Sequence, residues 1–541
     1  MRITFLAGLI STAILLSSCL DDLNTLPLNK TDYTSEMAYG NEEVNYLAGL
    51  AKIYTSFTNQ YDLQVDDYGA SEINRAFWAL QEFSTDAAKC AWENDSWVKD
   101  INQNSWSSAD NAATYAVYAR TLHGITYVNE FLRQTTDAKL SERGVNGELQ
   151  AKIHSMRAEA RFIRAYLYWM SMDIFGNVPF VTEESEFGAV SPPQVSRVEV
   201  FDYIVNELNE LSVSDAMPAP RSNYPRADKG SVLGLLARVY LNAGEYSGTP
   251  RWQEAKETCE KIFAMNYTLC TDYAALFRGD NGENPDALNE IMFAIAYDAA
   301  SIQSWGGTTF LCIGATQVDD DPAGALMVGV NDHWSGIRVP YEYARDYFDV
   351  SAADYVTGTY TASSDKRGEL FFIKGRSEEM SDIAVFSQGW GLFKFNNVPH
   401  NQTAAEYYSV AQTLSFANID MPLIRLGEIY LIYAEACLHQ NATASALPYL
   451  NLLRSRAGAN EITSYNADWL LAERARELIW EAHRRTDLIR HGKFHSGTFL
   501  WKYKGEAYDG QGFGAYMNLF AIPASELASN INLVQNPGYI N

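Results

Sequence analysis

Across residues 148–174, seven apolar side chains recur in alternating steps of three and four: Ile153, Met156, Ala160, Ile163, Leu167, Met170 and Ile174. Such steps track one face of an α-helix, whereas a strand would alternate every second residue. The stretch is therefore predicted as one long helix with a single buried stripe, and Arg157, Arg161 and Arg164 fall off that stripe. The pattern stops at Phe175-Gly176-Asn177-Val178-Pro179, where a Gly and then a Pro mark the helix end. A chain built around such an element has to solve a helix-packing problem first.

Two further segments carry paired helical patterns. Leu233-Gly234, Tyr240, Gly244-Glu245-Tyr246 and Ala255 fall across a helix at 228–243, a turn, and a helix at 252–265. Small and aromatic residues at these offsets resemble a tetratricopeptide repeat, in which Gly and Ala permit close helix approach. The theme returns at Leu426-Gly427, Tyr430, Ala434 and Cys437, with Ala446, Leu450 and Leu453 on a partner helix that ends at Ala457-Gly458. Residues 111–133 are a candidate third partner for 148–174, and a shorter helical stretch is expected at 41–58. Residues 60–110 are rich in Trp, Asn and Asp without clear period and read as short elements and loops. From about 270 to 420 Gly, Asn, Asp, Trp and Thr rise and the long period fades, which predicts a loop-rich insertion. The expected fold is mainly α, a tetratricopeptide-like superhelix of helix hairpins carrying that insertion, with residues 41–541 as a single domain.

Arg2 precedes an uncharged run from Ile3 to Leu20, the build of a secretory signal over residues 1–18. The run closes on Leu16-Ser17-Ser18-Cys19, which resembles a bacterial lipobox whose Cys takes diacylglycerol. Leu20-Asp21-Asp22 is similar to the acidic surface-export signal of Bacteroidetes lipoproteins. The expectation is a protein lipidated at Cys19, spaced from the membrane by residues 19–40 and held on the outer face of the outer membrane. No later stretch reaches the ~18 uninterrupted apolar residues of a spanning helix, so the remainder is expected to be soluble. Beyond Cys19 there are Cys90, Cys259, Cys270, Cys312 and Cys437, an odd and scattered set that reads as buried small residues more than as a disulfide framework.

With 41 Lys+Arg against 67 Asp+Glu the chain carries a net charge of −26, which argues against nucleic acid as a partner. No P-loop, GxGxxG, GxSxG or HExxH occurs, and the eight His show no metal spacing; His483 and His491 read as structural. No cofactor is expected. Asp280-Asn281-Gly282-Glu283-Asn284 offers oxygen ligands for Ca²⁺ but lacks EF-hand spacing, and an acidic turn is the simpler reading. A carboxylate pair of glycosidase type stays open, since it needs a separation of roughly 5–10 Å that sequence does not give. Among the 12 Trp, Trp78, Trp92, Trp97 and Trp106 crowd one early region and Trp305 and Trp334 sit in the insertion. An indole covers the apolar face of a pyranose while Arg, Asn and Asp bond its hydroxyl rim, so a loop array of Trp suits a sugar. About half of the Trp are expected in the core.

Longer blocks identify a resemblance. They are "RAEARFIRAYLYWMSMDIFGNVPF" from Arg157, "RADKGSVLGLLARVYLNAGEY" from Arg226 and "MPLIRLGEIYLIYAEA" from Met421. "EAHRRTDLIRHGKF" from Glu481 and "IPASELASNINLVQNPGY" from Ile522 complete the set. With the lipobox they resemble the SusD (RagB/SusD) family of Bacteroidetes outer-membrane nutrient-binding lipoproteins. The resemblance implies a non-catalytic binding protein that packs on a SusC-like TonB-dependent transporter and holds an oligosaccharide in its exposed loops. In these blocks Arg157, Arg161, Arg164, Arg484, Arg485 and Asp487 read as a helix-packing network.

The loop segments Asn74–Asp95, Gln303–Ala315 and Asn331–Val339 look most like the starch-binding type, in which an aromatic arc with one Arg and one Asn cradles a curved α-glucan. Carried over by position, the ligand-binding set is Arg75, Trp92, Trp305 and Trp334, with Asn94 or Asp95 as the polar partner. Cys90 stands where a further arc aromatic is expected, which weakens the arc or marks a different ligand. The expected partners are an α-glucan oligosaccharide, the transporter and the outer membrane; another glycan or peptide cargo, and a surface glycoside hydrolase, are the alternatives.

Overall fold

The structure is a computed structural model that describes residues 38–61, 63, 69–186, 191–316, 328–356, 359–360, 364–404, 406–407 and 414–540. Cys19, the lipobox and Leu20-Asp21-Asp22 lie outside these residues. The scaffold helices are α1 (Glu43–Tyr54), α2 (Ile73–Glu82), α3 (Ala112–Gln134), α4 (Gly147–Phe175), α5 (Arg197–Val213), α6 (Lys229–Leu241) and α7 (Trp252–Phe263). A short helix α8 (Gly307–Ile313) follows, then α9 (Leu426–His439), α10 (Thr443–Arg456), α11 (Ala467–Glu477) and α12 (Arg484–Arg490). The strands used below are β1 (Lys89–Cys90), β2 (Ile291–Ile295), β3 (Ile337–Arg338) and β4 (Met421–Arg425).

Side-chain caps fix where several of these helices begin. Asn146 accepts from the Leu149 amide at the start of α4. Ser196 and Glu199 form a reciprocal capping box on α5, and Asp228 caps α6. A cap contributes about 1 kcal/mol, whereas each fully buried large apolar side chain contributes about 1.5–3 kcal/mol. Packing therefore holds α4, and the caps set its register.

All seven stripe residues of α4 are buried. The burial is not confined to one stripe, however: from Ala158 to Phe175 every residue except Arg161 is buried. The reason is position. α4 packs between α3 and α5, and Phe162 meets Phe293 of β2 edge-on at 5.1 Å. The predicted pairs α3/α4, α6/α7 and α9/α10 pack as hairpins, and α7 packs on α9 across the intervening chain. The mainly α, tetratricopeptide-like architecture with a loop-rich insertion is thus the observed one.

The strand pair β2–β4 explains how the insertion is carried. It is antiparallel, with Met421 opposite Ile295 and Pro422 opposite Ala294, so residues 296–420 leave and return through one neck. Gly234 of α6 faces this neck, where a Cβ would stand 2.4 Å from Ile424. Its small size serves a helix-to-ribbon contact, a different role from the helix–helix approach expected of it. At the exit of β4, Arg425 bonds Glu290 (2.9 Å), Glu477 (2.6 Å) and Glu481 (2.6 Å), all fully buried or nearly so. Arg367 and Arg456 also bond Glu477, giving an ionic core between insertion neck and C-terminal helices.

The predicted charged network is present. Arg157 donates to the Leu132 carbonyl and Thr135, Arg161 pairs with Glu207, and Arg164 bonds Asn129, which ties α3, α4 and α5 together. Arg484 pairs with Asp86, Arg485 lies 3.6 Å from Asp173, and Asp487 pairs with Arg474. His483 is buried, and burial lowers its pKa to about 4, while His491 lies 3.3 Å from Glu435. Within the region read as short elements and loops, α2 is buried to an extent the sequence did not suggest: all ten of its residues are buried. Buried Asn74, Arg75, Gln81 and Glu82 break its apolar period and hide it from a pattern search. The five cysteines from Cys90 onward are free and buried. No helix among the described residues is long and apolar enough to cross a membrane.

Candidate functional site

The tryptophans divide by burial. Trp78, Trp97, Trp106, Trp169, Trp390, Trp480 and Trp501 are buried. The other five are partly exposed. Of these, Trp252 stacks on His439 at 4.0 Å and Trp469 lies beside Tyr465, both on the helical scaffold. Trp92, Trp305 and Trp334 remain, and they meet in one cluster.

Strand pairing brings two of them together. β1 pairs antiparallel with β3, Lys89 opposite Arg338 and Cys90 opposite Ile337. Trp92 follows β1 and Trp334 precedes β3, so both emerge at the same end of the ribbon. The Ala91 amide donates to the Gly336 carbonyl at 2.8 Å. The Trp92 ring lies so close over Gly336 that a Cβ there would stand 2.2 Å from a ring carbon. Trp334 is held by its amide to the Ile313 carbonyl (2.8 Å) and by its indole Nε1 donating to Asp332 (2.9 Å). Trp305 sits on the loop before α8, where its amide donates to Gln60 Oε1 at 2.9 Å.

The rings form a continuous row. Ring centroids lie 6.1 Å apart for Trp92–Trp334, 5.7 Å for Trp305–Trp334 and 4.5 Å for Trp305–Phe416. Their planes turn relative to one another by 66°, 39° and 51° along that row. Neighbouring rings are thus inclined to one another, and the row is not one flat platform. Arg75 of α2 lies at its floor, only 3% exposed. Its guanidinium stands 4.4 Å from the Phe310 ring centre and 5.9 Å from those of Trp92 and Trp334, within cation–π range.

Arg75, Trp92, Trp305 and Trp334 are therefore brought together. Asn94 and Asp95 are exposed on the turn after Trp92, where the Asp95 amide donates to the Trp92 carbonyl, and both present polar groups to solvent. Cys90 behaves differently from an arc residue. It is fully buried, its amide and carbonyl are bonded by the Asn102 side chain, and burial pushes its thiol up to about 12. Position 90 faces the core, so its side chain neither extends the row nor reacts. Sequence reasoning missed Phe310, Phe416 and Asp332. Phe416 carries no local signal; only the fold sets it on Trp305.

In the Asp280–Asn284 turn the side chains of Asp280, Asn281 and Asn284 are bonded within the protein. The Asn281 side-chain Nδ2 donates to the Leu276 and Asp420 carbonyls, Asp280 bonds His400, and Asn284 caps a short helix. Among the described residues no group of three or more His, Cys, Asp or Glu is arranged to hold a metal ion.

Known proteins give a consistent picture. The profile of the SusD family matches residues 359–539, and a profile described as "Starch-binding associating with outer membrane" matches residues 35–241. The chain is 30% identical to the Starch-binding protein SusD of Bacteroides thetaiotaomicron, over 100% of both chains. It is 26% identical to SusD-like protein P2 of Formosa agariphila, over 75% of this chain and 78% of that one. Among solved structures, a SusD superfamily protein of Bacteroides vulgatus superposes with a TM-score of 0.69 at 19% identity, covering 93% of this chain and 100% of the other. Surface glycan-binding protein A of B. thetaiotaomicron in complex with laminarihexaose gives 0.67 at 20% identity, covering 91% and 99%.

Proposed function

We propose that this chain, which belongs to the SusD family, captures α-glucan oligosaccharides at the cell surface and passes them to a SusC-like TonB-dependent transporter. Proteins of the family bind glycans without catalysing their cleavage, and the family description associates them with the outer membrane. Lipidation at Cys19 and display on the outer face are part of the same proposal.

The observation that carries the reading is the row of mutually inclined rings Trp92, Trp334 and Trp305 beside Arg75. Each indole covers the C–H face of one pyranose, a contact on the order of 1 kcal/mol by analogy with aromatic pairs. The turning ring planes favour a ligand that itself curves, as an α-glucan does, over a flat ribbon. Asn94 and Asp95 supply exposed polar groups for hydroxyls, and Arg75 backs the ring faces with positive charge. Single contacts of this size give weak binding, which several contacts along one chain strengthen.

The test is affinity electrophoresis in starch with the soluble form lacking residues 1–19. Changing Trp92, Trp305 and Trp334 together to Ala is expected to abolish retention while the fold persists. Unchanged retention removes the arc. A glycan array including laminarihexaose distinguishes an α-glucan from another glycan cargo. Incubation with maltoheptaose is expected to leave the chain length unchanged.

A further inference from the structure

The row of rings rests on a buried polar bracket that the binding reading does not use. Glu72 immediately precedes α2, and it is fully buried. Its Oε1 accepts from the Tyr297 hydroxyl at 2.6 Å, and its Oε2 is bonded to the Ser304 hydroxyl, one residue before Trp305. Tyr297 in turn accepts from Asn74 at 2.9 Å, one residue before Arg75. Gln60 completes the bracket, accepting from the Trp305 amide (2.9 Å) and donating to the Gln303 carbonyl (3.1 Å). Gly306, on the other side of Trp305, lies against the Glu72 carboxyl, where a Cβ would stand 2.6 Å from its carbon. Both flanks of Trp305 are thus referenced to one carboxyl group.

We infer that Glu72 is a positioning residue for sugar binding: through Ser304 and Gly306 it fixes the backbone that aims the Trp305 indole at Trp334 and Phe416, and its protonation state sets that aim. The inference rests on the arc as the glycan site. The groups facing Glu72 are Tyr297 from the segment just after β2, Arg75 from α2, Arg120 from α3 and the Gly307 amide. Burial pushes the carboxyl up to about 8, against the Tyr297 bond and the two guanidinium groups. Neutral Glu72 can donate to Ser304, whose Oγ already accepts from the Gly306 amide at 3.0 Å. Ionised Glu72 can only accept a hydrogen bond from the Ser304 hydroxyl, which reverses that bond and places a charge beneath the Trp305 loop. A neutral amide at position 72 has no such change to make.

The experiment uses the full chain in detergent, labelled with fluorotryptophan and read by fluorine NMR, with the Trp305 line assigned by Trp305→Phe. The Trp305 line of the native protein is expected to shift with a midpoint near pH 8, and the line of Glu72→Gln is expected to stay fixed. Maltoheptaose affinity is expected to fall at least about fivefold in Glu72→Ala, the scale of one lost hydrogen bond. Gly306→Ala is expected to fall similarly, and Glu72→Gln to restore the affinity. A Trp305 line that titrates identically in Glu72→Gln overturns the inference, as does Glu72→Ala binding like the native protein. If the native protein does not bind maltoheptaose, the glucan reading fails, and the fluorine signal alone still decides the role of Glu72.

Discussion

Trp334 is the central ring of the row, so its removal is the sharpest single perturbation. It touches Trp92 at 6.1 Å and Trp305 at 5.7 Å and faces the Arg75 guanidinium at 5.9 Å. Trp334→Ala removes one stacking surface, worth about 0.5–1.5 kcal/mol. At about 1.4 kcal/mol per factor of ten, maltoheptaose binding should weaken roughly two- to twelvefold. Stability should change little in measurable terms. A fully buried Trp→Ala costs about 3–5 kcal/mol, and Trp334 is only half-buried. Unfolding entropy of about 2 cal/mol/K per residue amounts to about 1 kcal/mol/K over this chain, so the melting temperature should drop only about 1–3 °C. Isothermal titration and thermal melts therefore separate the two effects. Because Trp305 and Trp334 are in contact, their double variant should show a coupling of about 0.5 kcal/mol or more. Trp252→Ala, whose ring stacks on His439 at 4.0 Å outside the row, serves as the control and should bind normally. A native protein that binds while Trp334→Ala binds within twofold of it would refute the stacking argument.

Further outcomes follow from the same geometry. Gly336→Ala should reproduce the binding loss of Trp92→Ala in affinity electrophoresis, because the added Cβ would stand 2.2 Å from the Trp92 ring. Glu477→Ala should destabilise the protein by about 3–5 kcal/mol in denaturant melts, since it leaves Arg367, Arg425 and Arg456 buried around a missing charge. Acid should unfold the chain through the same network: Arg367 and Arg476 hold Glu473 down at about 2 against the opposing effect of burial. A carboxyl depressed in the fold adds stability that is complete above its unfolded pKa near 4.5 and is lost as pH falls towards about 2. Melting temperatures measured downward from about pH 5 should fall, and Glu473→Gln should flatten that slope.

The sequence by itself determined the scaffold, because helix formation writes a local code. The steps of three and four from Ile153 to Ile174 and the Asn146, Ser196 and Asp228 caps depend on neighbours within a few positions. It also supplied four ring-site residues, Arg75, Trp92, Trp305 and Trp334, through blocks shared with a family. What it could not supply was burial. α4 is enclosed on more than its stripe, and α2 is enclosed entirely although polar residues interrupt its period. Cys90 occupies an expected arc position, yet strand pairing turns it into the core.

The assembly of the candidate site was decided only by tertiary structure. The β1–β3 pairing joins residues about 250 apart in the chain, and the β2–β4 neck returns the chain so that Phe416 lands on Trp305. Glu72, silent in the sequence, becomes the anchor of the Trp305 loop through Ser304. Such contacts form only after long loops close, and no local period encodes them. Their energy comes from excluding water at the meeting point, which is a property of the assembled surfaces and not of any one segment.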